Sequence, residues 1–351
     1  MNRCDVAIAG AGIIGLTTAL ELVSHGRKVT VFDQSEAMSE ASRAAAGMLA
    51  GTDPENPPEL QTLARLSLAL YPEFLARVEA LSKKKVPVRT RTTLQGLHPS
   101  PAWTKTLRPV EVFDRAPGVH TNGWEFLLLD EPSFDAWDLA EALPDAARAA
   151  GIELREHTQV LGARCNRNGV EIVTASDTFL ASVFLNATGA WAPRLEPALP
   201  VMPRKGHMLT AELPGTVQMS CVLRTPAVYI VPRGGGRYTV GSTIEDAGFD
   251  RTVDPLRIQE LFTKAVELWP PMRDASIAET WIGFRPGSAD SLPIIDRLDE
   301  HRWVATGHFR NGILLGPGTG RVLRQWMLGR SPEIDLSAFR CARFAAVPTA
   351  S

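Results

Sequence analysis

CDVAIAGAGIIGLTTALEL, residues 4–22, decides the fold. Its first six residues are short and mostly apolar, as a buried strand requires, and Gly10-Ala11-Gly12-Ile13-Ile14-Gly15 follows as a turn. Leu16, Leu20 and Val23 then recur at helical spacing, and the pattern stops at Gly26. KVTVFD at 28–33 supplies a second strand ending in Asp33, 18 residues beyond Gly15 and near the ~20 expected of a dinucleotide-binding unit. Each residue type has a task. Gly10 permits the tight turn, Gly12 lets the backbone approach a pyrophosphate with no Cβ in the way, and Gly15 lets the helix pack closely on the strand. The N-terminus of the helix offers unpaired N–H groups and a partial positive charge to that anion. Asp33 can accept hydrogen bonds from an unphosphorylated ribose and would repel a 2′-phosphate, which favours NAD or FAD over NADP.

The chain has 351 residues, enough for two cooperating domains at roughly 100 to 200 residues each. Lys plus Arg number 37 against 39 for Asp plus Glu, so the basic footprint of a protein that grips phosphate backbones is missing and no nucleic-acid partner is expected. Cys4, Cys165, Cys221 and Cys341 are far apart and form no CxxC pair, which indicates neither a metal site nor a disulfide framework. Reduced thiols in a cytoplasmic protein fit this usage. The apolar run Val6 to Leu22 is punctuated by glycine and polar residues, so it reads as strand, turn and helix rather than as a signal peptide or a membrane span.

ASRAAAGMLAG at 41–51 is a run of small residues that suits either a backbone lying against a flat ligand or an ordinary alanine-rich helix. GTDPENPPE at 51–59 is polar and proline-rich, an exposed connector or a gate. TQVLGARC and GVEIVTAS (158–176), split by a turn at 166–169, read as a hairpin, and SVFLNATG (182–189) as a buried strand with a glycine turn. VYIVP and RYTVGST (228–243) flank three glycines as a second hairpin, and Pro255 to Trp269 carries apolar residues at helical spacing. Lys83, Lys84 and Lys85, with Arg89 and Arg91, read as a solvated helix end and loop.

Two arginines stand out because their surroundings are apolar and glycine-rich. Arg310 lies between a strand, RWVATG (302–307), and a helix expected from about Pro317 to Leu328, at a strand's carboxyl end, where open α/β sheets bind ligands. Arg285, in IGFRPG, is expected in a glycine- and proline-bounded turn just after an apolar strand, held extended by Pro286. A guanidinium in a partly buried pocket needs a partner. Asp290 or Asp296 could provide it internally, and a ligand carboxylate could match the planar fork bidentately.

Taken together, GAGIIG, VFD, ASRAAAGMLA, LNATGAWA (185–192), YIVPR (229–233), GFRPGSADSLPIID (283–296) and GHFRNGILLGP (307–317) resemble the D-amino-acid oxidase type of FAD-dependent oxidoreductases, in particular the glycine oxidases of thiamine biosynthesis. The resemblance implies an α/β (α+β overall) architecture: a Rossmann-like FAD-binding domain from 1–50, 135–195 and 283–335 interleaved with an antiparallel-sheet substrate domain from 51–134 and 196–282, then a C-terminal tail at 336–351. It implies noncovalent FAD. The cofactor would be held by Gly10, Gly12, Ile13, Ile14, Gly15 and Asp33 together with Gln34, Ala41 and Ser42. Ala46, Gly47, Met48, Val160, Thr188, Gly189 and Trp191 would extend that surface, and His308, Phe309, Asn311, Gly312, Ile313 and Leu314 would border the flavin. Tyr229, Arg285 and Arg310 would bind and orient a substrate carboxylate, so that the charge of Arg310 is completed by the substrate. No metal is implied.

The implied reaction is oxidative deamination of glycine or another small amino acid by O2 to the 2-oxo acid, ammonia and H2O2, supplying an imine for thiamine thiazole synthesis by a homo-oligomeric enzyme. Phe284, and Gly316 and Gly318 where the family commonly has alanine, depart from the pattern. The glycines would loosen the helix start by roughly 0.5 to 1 kcal/mol each relative to Ala. These departures leave sarcosine and small D-amino acids open as substrates. A non-catalytic flavin-binding protein and an NAD-dependent dehydrogenase are the readings from other classes.

Overall fold

A computed structural model describes residues 3–344 apart from 101–102, 104–105, 122, 168 and 216–217. Arg3–Ala9 is the centre of an eight-stranded sheet, flanked on one side by Val29–Phe32 and Glu153–Arg155 and on the other by Thr178–Asn186 and Arg302–Thr306, all parallel. Ile294–Arg297 adds an antiparallel edge, and the hairpin Val160–Asn166/Gly169–Thr174 pairs with Thr178–Asn186. Part of that hairpin's turn, residue 168, lies outside the described residues. The parallel sheet is covered on both faces: Ile8 and Val31 are buried under helices, and Ala7 is buried under the hairpin through Val160, Val170 and Ile172.

Three helices close over the central strand. Ile13–Val23 leaves the glycine turn, Gly312–Met327 packs against it, and Gln61–Ser82 packs against the latter. The last of the three begins at Gly312, five residues before the start expected at Pro317. Proline in a helix deprives the carbonyl four residues earlier of its donor. Here the Tyr71 hydroxyl donates to the Ile313 carbonyl, Ser67 Oγ donates to the Leu314 carbonyl at 2.6 Å, and the Gly318 N–H donates to Ser67 Oγ at 3.0 Å. Side chains from 61–82 thus repair the helix from outside.

The glycines of that helix are contacts. A Cβ at Gly316 would lie 2.7 Å from Ile13 Cγ1, one at Gly318 3.0 Å from Ser67 Cβ, and one at Gly320 3.0 Å from the Thr17 carbonyl carbon. The expected loosening is therefore corrected: their smallness lets three helices meet, which alanine would hinder.

The second sheet has seven strands in the order Ser276–Ser288, Val201–Glu212, Arg237–Gly241, Tyr229–Gly234, Val222–Arg224, Thr93–Leu97 and Glu125–Leu129. It is antiparallel except where Val222–Arg224 runs parallel to Thr93–Leu97. Pro255–Leu268 covers it through Ile258, Leu261 and Ala265, capped by the Asp254 side chain, which accepts from Leu256 N. Ser276–Ser288 stays paired with Val201–Glu212 to its end, so the boundary expected at 283 falls inside a strand, and Gln61–Ser82, from the segment 51–134, packs in the first core. The tail is docked as far as it is described: Phe339 is buried, and Arg340 reaches Asp296 at 2.8 Å and Arg343 reaches Asp290 at 2.7 Å. Residues 345–351 lie outside the described residues.

Candidate active site

An open cleft runs between the two sheets, with a volume of about 2060 Å3 when the space continuous with solvent is counted. Its floor is the glycine turn. Gly10 sits at φ +102°, and a Cβ there would lie 2.3 Å from the Ala187 carbonyl oxygen; a Cβ at Gly15 would lie 1.9 Å from the Gly10 carbonyl oxygen. Gly10 and Gly12 line the cleft, whereas Gly15 is behind it and does only the packing. Gly12 is the N-cap of Ile13–Val23 and no side chain caps the helix from that position. Ser42 Oγ accepts from Ile13 N at 2.9 Å, while Ile14 N and Gly15 N belong to the first turn, which has no helical carbonyl to bond.

Asp33 accepts from Ala11 N at 2.7 Å with one oxygen and from Ser35 N at 2.9 Å with the other. Burial pushes its carboxyl up, and the two donors act against that shift. Each oxygen keeps a second lone pair for a ligand hydroxyl. A glycine cradle, a helix start and a carboxylate at the end of the second strand fit a dinucleotide, with the diphosphate at Gly10–Ile14 and the ribose at Asp33.

Segment 41–51 is not an alanine-rich helix. Only Ala41–Ala44 is helical, and the chain then runs along the cleft, where Ala46, Gly47 and Met48 join Ala41 and Ser42 in the wall. Gly47, at φ +78°, approaches the backbone at Phe134 so closely that a Cβ would lie 1.9 Å from the Phe134 carbonyl oxygen. Gln34, Val160, Thr188, Gly189 and Trp191 line the same cleft, as do His308 through Ile313; Leu314 is turned into the core, 1% exposed. The helix start that faces the cleft is Gly312, after Asn311, and not the one expected at Pro317.

His308 is buried, with Nε2 3.1 Å from Thr319 Oγ1, and burial lowers its pKa to about 3. It is a neutral packing residue. Phe284, fully buried, meets Trp191 and Phe249 edge-on at 6.0 and 5.4 Å, and Trp191 stacks on Phe249 at 4.7 Å. The departure at 284 thus completes an aromatic trio beside the cleft.

The two arginines meet different fates. The Arg285 guanidinium donates to Ser242 Oγ at 2.7 Å and to the Thr243 carbonyl at 3.2 Å, and among the described residues no carboxylate pairs with it. Burial lowers its pKa, Tyr229 supports its charge and Arg310 opposes it. It lies flat over Gly206, where a Cβ would be 2.0 Å from one of its terminal nitrogens, and Tyr229 lies over Gly241 in the same way, with its hydroxyl 2.3 Å from where a Cβ would be.

Arg310 departs from expectation. Its charge is already met inside the protein, by Asp53 at 2.9 Å and Glu55 at 3.0 Å. Neither Asp290 nor Asp296, the acids nearest in sequence, takes part; they hold Arg343 and Arg340. The 51–59 loop is therefore more than an exposed connector: Asp53 is buried and lies 3.6 Å from Arg224, which in turn pairs with Glu131 at 3.0 Å. Thr52 donates to Glu131 through both its N–H and its hydroxyl at 3.0 Å. Asp53, Glu55, Arg224, Glu131, Ser242, Gly206 and Gly241 were not singled out in the sequence. Gly206 carried a signal, since glycine inside a strand often marks a close approach; Asp53 and Glu55 carried none, because they meet Arg310 across about 255 residues of chain.

Among the described residues no helix is long and apolar enough to cross a membrane, and no group of His, Cys, Asp and Glu could hold a metal ion. A sequence model of FAD-dependent oxidoreductases matches residues 5–326. The chain is 34% identical to the bifunctional protein ThiO/ThiG of Trichormus variabilis over 97% of its own length, but it spans only 55% of that relative. It is 32% identical to a glycine oxidase of Geobacillus kaustophilus over 97% of both chains. The crystal structure of glycine oxidase from Geobacillus kaustophilus superposes with a TM-score of 0.94 at 29% identity, covering 99% of this chain and all of that one.

Proposed function

The chain belongs to the family of FAD-dependent oxidoreductases, and from that premise we propose that it oxidatively deaminates glycine or a comparably small amino acid. The balanced reaction takes glycine, O2 and water to glyoxylate, ammonia and H2O2 through an imine that hydrolyses. The observation that carries this reading is Arg285: a desolvated guanidinium facing the cleft with neutral partners only. A cation so placed is costly unless an anion completes it. The carboxylate of an amino acid does so in bidentate fashion. A flavin-binding protein without turnover has no use for such a group.

When bound, FAD supplies the two-electron oxidation of the substrate Cα–H and the transfer of those electrons to O2. The chain's contribution is to hold and orient. Gly10, Gly12 and Ile14 receive the diphosphate, Asp33 the ribose, and the 41–48 segment with 308–313 encloses the rest. Arg285 fixes one end of the substrate and the Tyr229 hydroxyl adds a contact, so that Cα is aimed at the cofactor; such positioning contributes several kcal/mol, up to roughly 7–11, of barrier reduction. The helix start at Gly312 lines the cleft, where its backbone N–H groups would stabilise negative charge that develops nearby. Neutral His308, bonded to Thr319, is not a proton acceptor for the substrate amine. An amine that binds in its neutral form needs no such acceptor.

In this reading the parallel-sheet unit is the FAD domain and the seven-stranded sheet carries the substrate wall. The ThiO/ThiG and glycine oxidase relatives favour glycine as substrate and an imine destined for thiamine synthesis. An oxygen-electrode panel over glycine, sarcosine and both enantiomers of alanine and proline tests this. Oxygen uptake with one equivalent of H2O2 per glycine is the expected result. A yellow protein that takes up no oxygen with any of these amines would refute it.

A further inference from the structure

Arg285 and Arg310 line one cleft and lie close enough for Arg310 to oppose the charge of Arg285, yet only Arg310 has acidic partners. Those partners are unequal. Asp53 is 2% exposed at its side chain and fixed on three sides: it takes Arg310, lies beside Arg224, and accepts from Glu55 N at 2.9 Å. Glu55 is 38% exposed at its side chain and makes a single ion pair, from Oε2 to the other terminal nitrogen of Arg310. Ion pairs of that exposure are weak and readily exchanged.

Charge balance points the same way. Around this end of the cleft Arg224, Arg285 and Arg310 face Asp53, Glu55 and Glu131, three cations against three anions. An incoming carboxylate would make a fourth anion in a partly desolvated site. Balance returns if the most exposed carboxylate swings out to water.

Resting on the reading of Arg285 as the carboxylate anchor, we propose that Glu55 is a specificity-determining residue: it occupies the edge of Arg310 that the substrate carboxylate takes over, while Asp53 keeps the other edge. Glu55 acts through Arg310 and is a positioning residue, not a catalytic one. It sets how strongly a monocarboxylate is held. A substrate bearing a second anionic group restores the excess negative charge and is disfavoured.

The test is calorimetric titration of the FAD-loaded protein with acetate, the carboxylate of glycine without its amine, at low salt. Glu55→Gln should tighten the acetate Kd two- to tenfold and lower the glycine KM by a similar factor. In an Arg310→Met background the same change should have no effect, since the interaction energy of a cycle isolates the pair. Glu59→Gln, an exposed acid of the same loop, serves as the control for general charge and should leave Kd unchanged. An unchanged Kd in Glu55→Gln, an equal tightening in Glu59→Gln, or persistence of the effect without Arg310 would each overturn the proposal while leaving Arg285 as the anchor. Loss of acetate binding in Arg285→Ala supports the anchor independently; acetate binding that ignores Arg285 would overturn both.

Discussion

The two ends of the cleft are built from different materials. At the dinucleotide end the contacts come from backbone: Gly10 and Gly12, the start of Ile13–Val23 and a carboxylate held by two N–H groups. At the carboxylate end they come from long charged side chains whose partners lie far away in sequence, Arg310 with Asp53 and Glu55, Arg224 with Glu131. At Gly10 and Gly15 the first end has no room for a Cβ. The second is adjustable, because a side chain can exchange one partner for another without moving the main chain.

The comparison breaks most visibly at Gly15. A Cβ there would lie 1.9 Å from a backbone oxygen, which no rotamer can relieve. Gly15→Ala is expected to yield protein that is insoluble or purifies without yellow colour, and absorbance of the purified variant checks this; a stable, fully yellow variant would show that the turn is looser than described.

Gly206→Ala makes the matching insult at the other end. Its Cβ would fall 2.0 Å from a terminal nitrogen of Arg285, a group that can move aside. The fold and the FAD content should therefore survive while the anchor shifts. Since displacements of about 1 Å can cost on the order of a hundredfold, the glycine KM should rise about ten- to a hundredfold in steady-state assays.

Gly320→Ala probes neither end but the helix contact between them. With backbone atoms of Thr17 and Thr18 3.0 to 3.1 Å from the new Cβ, overpacking should cost about 1–3 kcal/mol in denaturant unfolding, and glycine KM should be unaffected.

The last effect concerns pH. His308 has its pKa lowered to about 3 by burial, below the ordinary value of 6.5, so between those values the unfolded chain binds more protons than the folded one. Stability should fall as pH drops from 6.5 toward 3. His308→Gln should flatten that part of a chemical-denaturation series run from pH 7 to 4; an unaltered slope would mean that other groups dominate it.

The same contrast explains what the sequence disclosed. Strand, turn, helix and terminal acid at 4–33 were legible because each step is local: spacing and glycine placement determine them. The hairpins at 158–176 and 228–243 and the helix over 255–269 were legible for the same reason. The helix beginning at Gly312 was misplaced because Pro317 signals a start, and the rescue by Ser67 and Tyr71 comes from some 245 residues earlier. Arg285 and Arg310 looked equivalent on paper, each an arginine expected in a glycine-rich turn, whereas Arg285 lies inside the strand Ser276–Ser288. What separates them is whether an acid from another part of the chain arrives, and neither periodicity nor local spacing encodes that.

The most direct test of the central claim is a side-by-side acetate titration of FAD-loaded Arg285→Ala and Arg310→Ala proteins against the parent. If Arg285 is the anchor, its removal should weaken acetate binding by at least a hundredfold, in keeping with the roughly 2–5 kcal/mol lost when one partner of a buried charge pair is truncated, while removal of Arg310 should weaken it by about tenfold or less. Equal losses in the two variants, or a larger one at Arg310, would contradict the account.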